Sequence, residues 1–174
     1  MAGGVATLLN GWWQGPELCA GITDVDCSLV LADDRCAKRI AECGAIGNAR
    51  VIVFSHDGPP EKGLAPVLEA GGDAGTELPE LTGDDVATIL FTSGSTGQSK
   101  GAYSDHRGVV QGVFSYVAQT LMALNIVTRQ GKPPEGQPAT LLNVPLFHVT
   151  AAVPLLLPSL LIGRKLLLSP QWGA

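Results

Sequence analysis

The chain has 174 residues, 45% of them apolar and 16% charged, with a formal net charge of −5. This composition excludes a disordered chain and suits one domain-sized unit with a real hydrophobic core. Residues 1–90 carry 14 acids against 5 bases and residues 91–174 carry 2 against 6, without the dense Lys/Arg stripe and interleaved aromatics of a nucleic-acid binder. The basic second half either favours an anionic ligand or reflects a core-rich segment with few charges.

Short helix-like and strand-like segments alternate along the chain. "GPELCAGI" (15–22) predicts a helix, with Pro16 in its first turn and Glu17 at its positive end. "CSLVLAD" (27–33) reads as a buried strand. "DDRCAKRIAEC" (33–43) predicts a helix capped by Asp33 or Asp34 and stopped at Gly44. A second strand, "ARVIVFS" (49–55), and a short helix, "APVLEAG" (65–71), follow. The acidic, Gly-rich stretch 71–85 is a surface connection. "VATILFTS" (86–93) is a third strand, running into a loop of glycines and hydroxyl residues that ends at Lys100.

Beyond that loop, "SDHRGVVQGVFSYVAQTLMAL" (104–124) spaces its apolar residues along one helical face. An exposed loop (128–139) precedes a fourth strand, "TLLNVPLF" (140–147). "VTAAVPLLLPSLLIG" (149–163) predicts a buried helix distorted by Pro154 and Pro158, and "RKLLLSP" (164–170) a last strand. The order implies an α/β fold with a mostly parallel sheet layered with helices.

Cys19, Cys27, Cys36 and Cys43 have irregular spacing, and His56, His106 and His148 are scattered. No zinc or redox motif follows, and the cysteines read as isolated small hydrophobes of a reducing cytosol. The N-terminus lacks a basic-then-apolar leader, and the greasy stretch 149–162 is too short to span a bilayer. The expectation is a cytoplasmic protein without a transmembrane segment.

The chemistry concentrates in "FTSGSTGQSKG" (91–101). Gly94 and Gly97 let backbone approach a ligand closely, and successive N–H groups make an anion nest. Thr92, Ser93, Ser95 and Thr96 supply hydroxyl donors and Lys100 a full positive charge, with a helix N-terminus expected to follow. All of this suits a polyphosphate; a ligand-free turn with a solvated lysine is the plainer alternative. Lys100 stands too far from Gly94, with Ser99 before it, for the G-x-x-x-x-G-K-[ST] loop.

The stretch T-S-G-S-T-G, then K-G, resembles the phosphate loop of the adenylate-forming superfamily of acyl-CoA synthetases, luciferases and adenylation domains. "NVPLFHVTA" (143–151) is similar to a segment beside the acyl pocket of acyl-CoA synthetases, and "LNGWWQGPEL" and "IGRKLLL" also resemble family segments. The similarity covers the chain in order and is greatest to bacterial fatty acyl-CoA synthetases. It implies that a carboxylate attacks ATP, giving an acyl-adenylate and pyrophosphate, and that CoA then displaces AMP. By motif position Thr92, Ser93, Gly94, Ser95, Thr96, Gly97 and Lys100 would grip the β- and γ-phosphates. His148 would lie near the acyl carboxylate, although capping of the next helix or a core position is open to it. Phe147 reads as core.

The resemblance implies ATP, Mg2+ and CoA for the parent enzyme and a small-molecule carboxylic (fatty) acid as partner. It divides the chain into βα units (1–70), a linker (71–85), and the phosphate loop with the acyl-side region (86–174). The family's ribose, magnesium and hinge motifs and its C-terminal domain are absent. The chain therefore reads as an inactive central fragment of the large N-terminal domain, prone to self-association through exposed apolar faces. A carrier-protein-loading adenylation module and a non-catalytic nucleotide-binding remnant are the alternatives.

Overall fold

The computed structural model describes residues 3–55, 59–71, 77–92 and 99–168. In chain order the first elements are β1 (Ala6–Leu8), α1 (Gly15–Asp24), β2 (Leu29–Asp33), α2 (Asp34–Cys43), β3 (Arg50–Phe54) and α3 (Pro60–Glu69). Then come β4 (Val86–Thr92), β5 (Lys100–Asp105), α4 (His106–Arg129) and β6 (Ala139–Leu142). A π-helical segment (Ala151–Leu156), α5 (Leu157–Ile162) and β7 (Lys165–Leu168) complete the order. Two compact units result: Leu9–Pro79, and Gly3–Leu8 together with the chain from Glu80 onward.

In the first unit β2 and β3 pair in parallel, from Leu29 opposite Arg50 to Asp33 opposite Phe54. Leu18, Cys19 and Ile22 of α1, Val30 and Ala32 of β2 and Ile40 of α2 form its buried core. Burying each large aliphatic side chain is worth about 1.5–3 kcal/mol. Asp33 caps α2, its Oδ1 accepting the Cys36 N–H at 2.7 Å, and Gly44 ends the helix at φ 102°. Glu17 accepts the Gln14 N–H at 2.9 Å at the start of α1.

The helices α1 and α2 approach closely at Gly15, where an added Cβ would lie 2.6 Å from the Arg39 carbonyl oxygen. This proximity brings Cys19 and Cys43 together as a disulfide with a Cα–Cα separation of 6.7 Å. The reading of four isolated thiols is thereby corrected; only Cys27 and Cys36 are free. Spacing in sequence carries no trace of a pairing made by helix–helix packing.

In the second unit β1 pairs in parallel with β4, which pairs antiparallel with β5. The strands β6 and β7 pair in parallel, connected by the π-helical segment and α5, as a parallel pair requires a crossover. Three of the four pairings are parallel, but among the described residues the strands fall into three small sheets. The expected distortion at the prolines takes the form of a π-helical stretch containing Pro154, followed by Pro158 in the first turn of α5. Proline lacks an N–H and crowds the carbonyl four residues back, so the regular ladder cannot pass it.

Three element boundaries differ from expectation. The helix expected over 65–71 spans Pro60–Glu69, with Pro60 suited to its first turn. The fourth strand stops at Leu142, because Pro145 has no N–H to donate and instead accepts the His148 N–H in a turn at 2.9 Å. Residues 100–105, expected to lead into a helix, form β5. Pairing with apolar β4 overrides the poor strand propensity of "KGAYSD".

Helix α4 starts at His106, with Asp105 as its cap: Asp105 Oδ1 accepts the Gly108 N–H at 2.6 Å. It packs on β4, β5, the π-helical segment and α5. Contact with the π-helical segment is tight at Gly112, where an added Cβ would lie 3.2 Å from Val153 Cγ1. Thr82 donates its N–H (2.6 Å) and its hydroxyl (2.9 Å) to the Asp85 carboxylate. Both bonds, the backbone one foremost, hold that exposed carboxyl below its usual pKa. The Asp85 carbonyl in turn accepts the His106 N–H, so the turn before β4 is fastened to the start of α4.

The α1–α2 contact is testable. Gly15→Ala is expected to destabilise the chain by about 1–3 kcal/mol, measured as a lower urea midpoint. Gly4→Ala, whose Cβ meets nothing within 4 Å, is expected to change the midpoint little.

Candidate functional site

The run Ile89-Leu90-Phe91 is the middle of β4, half-buried and paired to Tyr103, Ala102 and Gly101 of β5. The ladder closes at Thr92, whose Cα partner is Lys100. Thr92 Oγ1 donates to the Lys100 carbonyl at 3.3 Å, fastening the mouth of the connection. Directly opposed residues of an antiparallel pair project from the same face, so the Thr92 hydroxyl and the Lys100 ammonium belong to one side of the hairpin end. Both residues are exposed.

Ser93, Gly94, Ser95, Thr96 and Gly97 lie outside the described residues. The described residues on either side of them, Thr92 and Lys100, are register partners at the end of the ladder. A strand, not a helix, follows Lys100; the expected helix N-terminus is supplied neither at this position nor before His106. From Val86 to Ser104 Lys100 is the sole charged residue, and among the described residues no carboxylate pairs with it.

His148 is exposed at the start of the helical stretch that runs to Ile162. Its carbonyl accepts the N–H groups of Ala151 (3.0 Å) and Ala152 (3.2 Å). Its Nδ1 accepts the Thr150 N–H at 3.2 Å. The capping alternative is therefore realised in the structure. With Nδ1 serving as acceptor, the neutral ring carries its proton on Nε2 and can present that proton to an oxygen ligand. No hydrogen bond links His148 to Thr92 or Lys100 among the described residues. Phe147 is half-buried.

Other polar features of the chain are structural in character. A shallow concavity of about 400 Å³ in the first unit is lined by Gly11, Trp12, Asp33, Arg35, Cys36 and Arg39. The Arg39 guanidinium there donates to the backbone carbonyls of Trp13 and Gly11 and so holds its own chain. The Arg107–Asp84 ion pair, at 2.6 Å, is exposed on both sides and contributes little. Among the described residues no group of three acidic, histidine or cysteine side chains is assembled to hold a metal.

A family model described as "AMP-binding enzyme" matches residues 1–174. Among curated proteins, a feruloyl-CoA synthase from Amycolatopsis sp is 29% identical over 167 residues, covering 96% of this chain and 29% of the relative. An indoleacetate–CoA ligase from Aromatoleum aromaticum is 27% identical over 169 residues, covering 95% and 30%. The chain thus spans less than a third of the length of these relatives. Among solved structures, ATP-bound MatB from Rhodopseudomonas palustris superposes with a TM-score of 0.73 at 24% identity, covering 99% of this chain and 31% of that one. A Mycobacterium tuberculosis fatty acyl CoA synthetase gives 0.68 at 24%, covering 97% and 30%. These likenesses show the fold.

The cap at His148 separates from any ligand role by substitution. His148→Ala is expected to cost about 0.5–1 kcal/mol of stability through the lost acceptor, read by urea unfolding. His148→Asn, whose amide oxygen can accept the same N–H, is expected to retain most of it.

Proposed function

The chain belongs to the AMP-binding enzyme family, and on that premise we propose that its Thr92–Lys100 hairpin turn is the polyphosphate grip of an ATP-dependent acid–thiol ligase. The reaction proposed for the whole protein has two steps. A carboxylate oxygen attacks the α-phosphorus of ATP, the bond to pyrophosphate breaks, and an acyl-adenylate forms. The thiol sulfur of CoA then attacks the acyl carbon and AMP leaves.

The observation that carries the reading is the pairing of Thr92 with Lys100 at the end of the β4–β5 ladder. It sets a hydroxyl and a cation, without a carboxylate partner among the described residues, on either side of the sequence Ser-Gly-Ser-Thr-Gly. In this reading Ser93, Ser95 and Thr96 donate hydroxyl hydrogen bonds to phosphate oxygens, and Gly94 and Gly97 let backbone N–H groups approach them. Lys100 neutralises charge that moves onto pyrophosphate as it departs. Mg2+ would accompany the nucleotide and share that neutralisation. His148, with its proton on Nε2, would donate to the acyl carboxylate or to the adenylate phosphate.

The substrate class is a small-molecule carboxylic acid. Among relatives, the feruloyl-CoA synthase and the indoleacetate–CoA ligase take aromatic acids, and one fold neighbour is a fatty acyl CoA synthetase; a fatty or an aromatic acid is the proposed substrate. The setting proposed is cytoplasmic. The 174-residue chain by itself is proposed to bind phosphate without turning over, since the family's ribose- and magnesium-holding motifs are not among its residues.

Isolated, the chain is also proposed to self-associate. Val110, Phe114, Met122 and Ile126 recur every four residues, or multiples of four, along α4 and are all exposed, as is the neighbouring Leu121. Val109, Val113, Val117 and Leu124 on the adjoining stripe are half-buried. A helix apolar on both stripes needs a second partner. By length and composition alone α4 is also long enough to cross a membrane, a test that the core helix of a larger domain passes equally.

Pyrophosphate titrated into the chain is expected to bind. Lys100→Ala is expected to weaken that binding about tenfold, from the loss of one charge-assisted contact, with Thr96→Ala adding to the loss in calorimetry. A panel of fatty and aromatic acids with ATP and CoA is expected to yield no acyl-CoA from the isolated chain. Light scattering after size exclusion is expected to show a mass above the 18.0 kDa monomer, with Phe114→Lys and Met122→Lys together returning it toward monomer.

A further inference from the structure

We propose that Cys19 and Cys43 are a reversible thiol–disulfide pair that locks α1 to α2, with Cys43 the sulfur that reacts first. The argument starts from the helix contact. Gly15 removes the side chain that would hold the helices apart, and its missing Cβ would sit 3.4 Å from Cys43 Cβ. The two Cα atoms stand 6.7 Å apart, within the range a disulfide spans. Both sulfurs also lie against one acceptor, the Ile40 carbonyl, Cys19 Sγ at 3.7 Å and Cys43 Sγ at 3.2 Å.

Access decides the order of events. Cys19 is 8% exposed, whereas Cys43 is only half-buried on the last turn of α2. With oxidised glutathione as oxidant, the Cys43 thiolate attacks one glutathione sulfur and the other glutathione leaves as thiolate and takes a proton. The Cys19 thiol, losing its proton, then attacks the Cys43 sulfur and displaces the second glutathione. The two protein thiols are oxidised by two electrons, the glutathione disulfide is reduced to two thiols, and the two protons end there.

The remaining cysteines are poor competitors. Cys27 is pushed up in pKa by burial and by Asp26. Cys36 is pushed up by burial and then by Asp33, with Arg39 opposing. Both shifts act against the thiolate, the form that attacks a disulfide. Cys36 sits seven residues before Cys43 on α2, its Sγ accepting from Arg39 Nη2 at 3.2 Å, at the far end of the helix contact.

The test uses the full chain, reduced with a phosphine and then held in millimolar oxidised glutathione. Thiol titration is expected to fall from four to two, with the intact mass lower by two hydrogens. Peptide mapping without reductant is expected to find the Cys19–Cys43 link, and the thermal midpoint to rise by several degrees over the reduced chain. Cys43→Ser is expected to abolish both changes, while Cys27→Ser with Cys36→Ser keeps them. Four free thiols after oxidation, a stable glutathione adduct on Cys43, or a link through Cys36 or Cys27 overturns the proposal. Should Cys43→Ser fold poorly, the mapped link and the Cys27/Cys36 variant decide the matter alone.

Discussion

The antiparallel ladder between β4 and β5 is the constraint on which the site depends. Its register sets Ile89 against Tyr103, Leu90 against Ala102 and Thr92 against Lys100. Thr92 and Lys100, the last paired residues, are thereby held side by side across the ladder. A slip of one residue would move Lys100 to the opposite face from Thr92. The backbone hydrogen bonds, and the Thr92 hydroxyl on the Lys100 carbonyl, fix Thr92 and the Lys100 backbone beside each other.

What surrounds that ladder serves to hold it. On one side β4 is flanked by β1, and α4 packs against both β4 and β5. The Thr82–Asp85 turn joins the start of β4 to the start of α4. One apolar stripe of α4, with Val109, Val113, Val117 and Leu124, is half-buried. The adjoining stripe, with Val110, Phe114, Met122 and Ile126, stays exposed. In the first unit the organising device is different: a small core around Ile22 and a glycine-enabled helix contact that brings two sulfurs together.

Much of this was legible in the sequence for physical reasons. The apolar runs of β2, β3 and β4 and the caps at Glu17 and Asp33 announce their elements locally, because burial and capping act through neighbouring residues. The proposal of a phosphate grip rests on the sequence itself, where six small and hydroxyl residues precede one lysine. The strand β5 was not: "KGAYSD" has no local reason to be extended, and only its partner makes it so. The early stop of β6 came from Pro145, whose missing N–H ends the ladder sooner than the apolar run does. The Cys19–Cys43 pairing depends on Gly15, fully 28 residues before Cys43, and no local pattern contains it. His148 was left between ligand and cap by the sequence, and its Nδ1 contact supplies the cap.

The central claim is that the turn between Thr92 and Lys100 is where phosphate binds. Amide chemical-shift mapping during a pyrophosphate titration tests it most directly. The account predicts saturable shifts clustered between Thr92 and Gly101, with little change near Arg35 and Arg39. Shifts centred on those arginines, or none at saturating pyrophosphate, would contradict it.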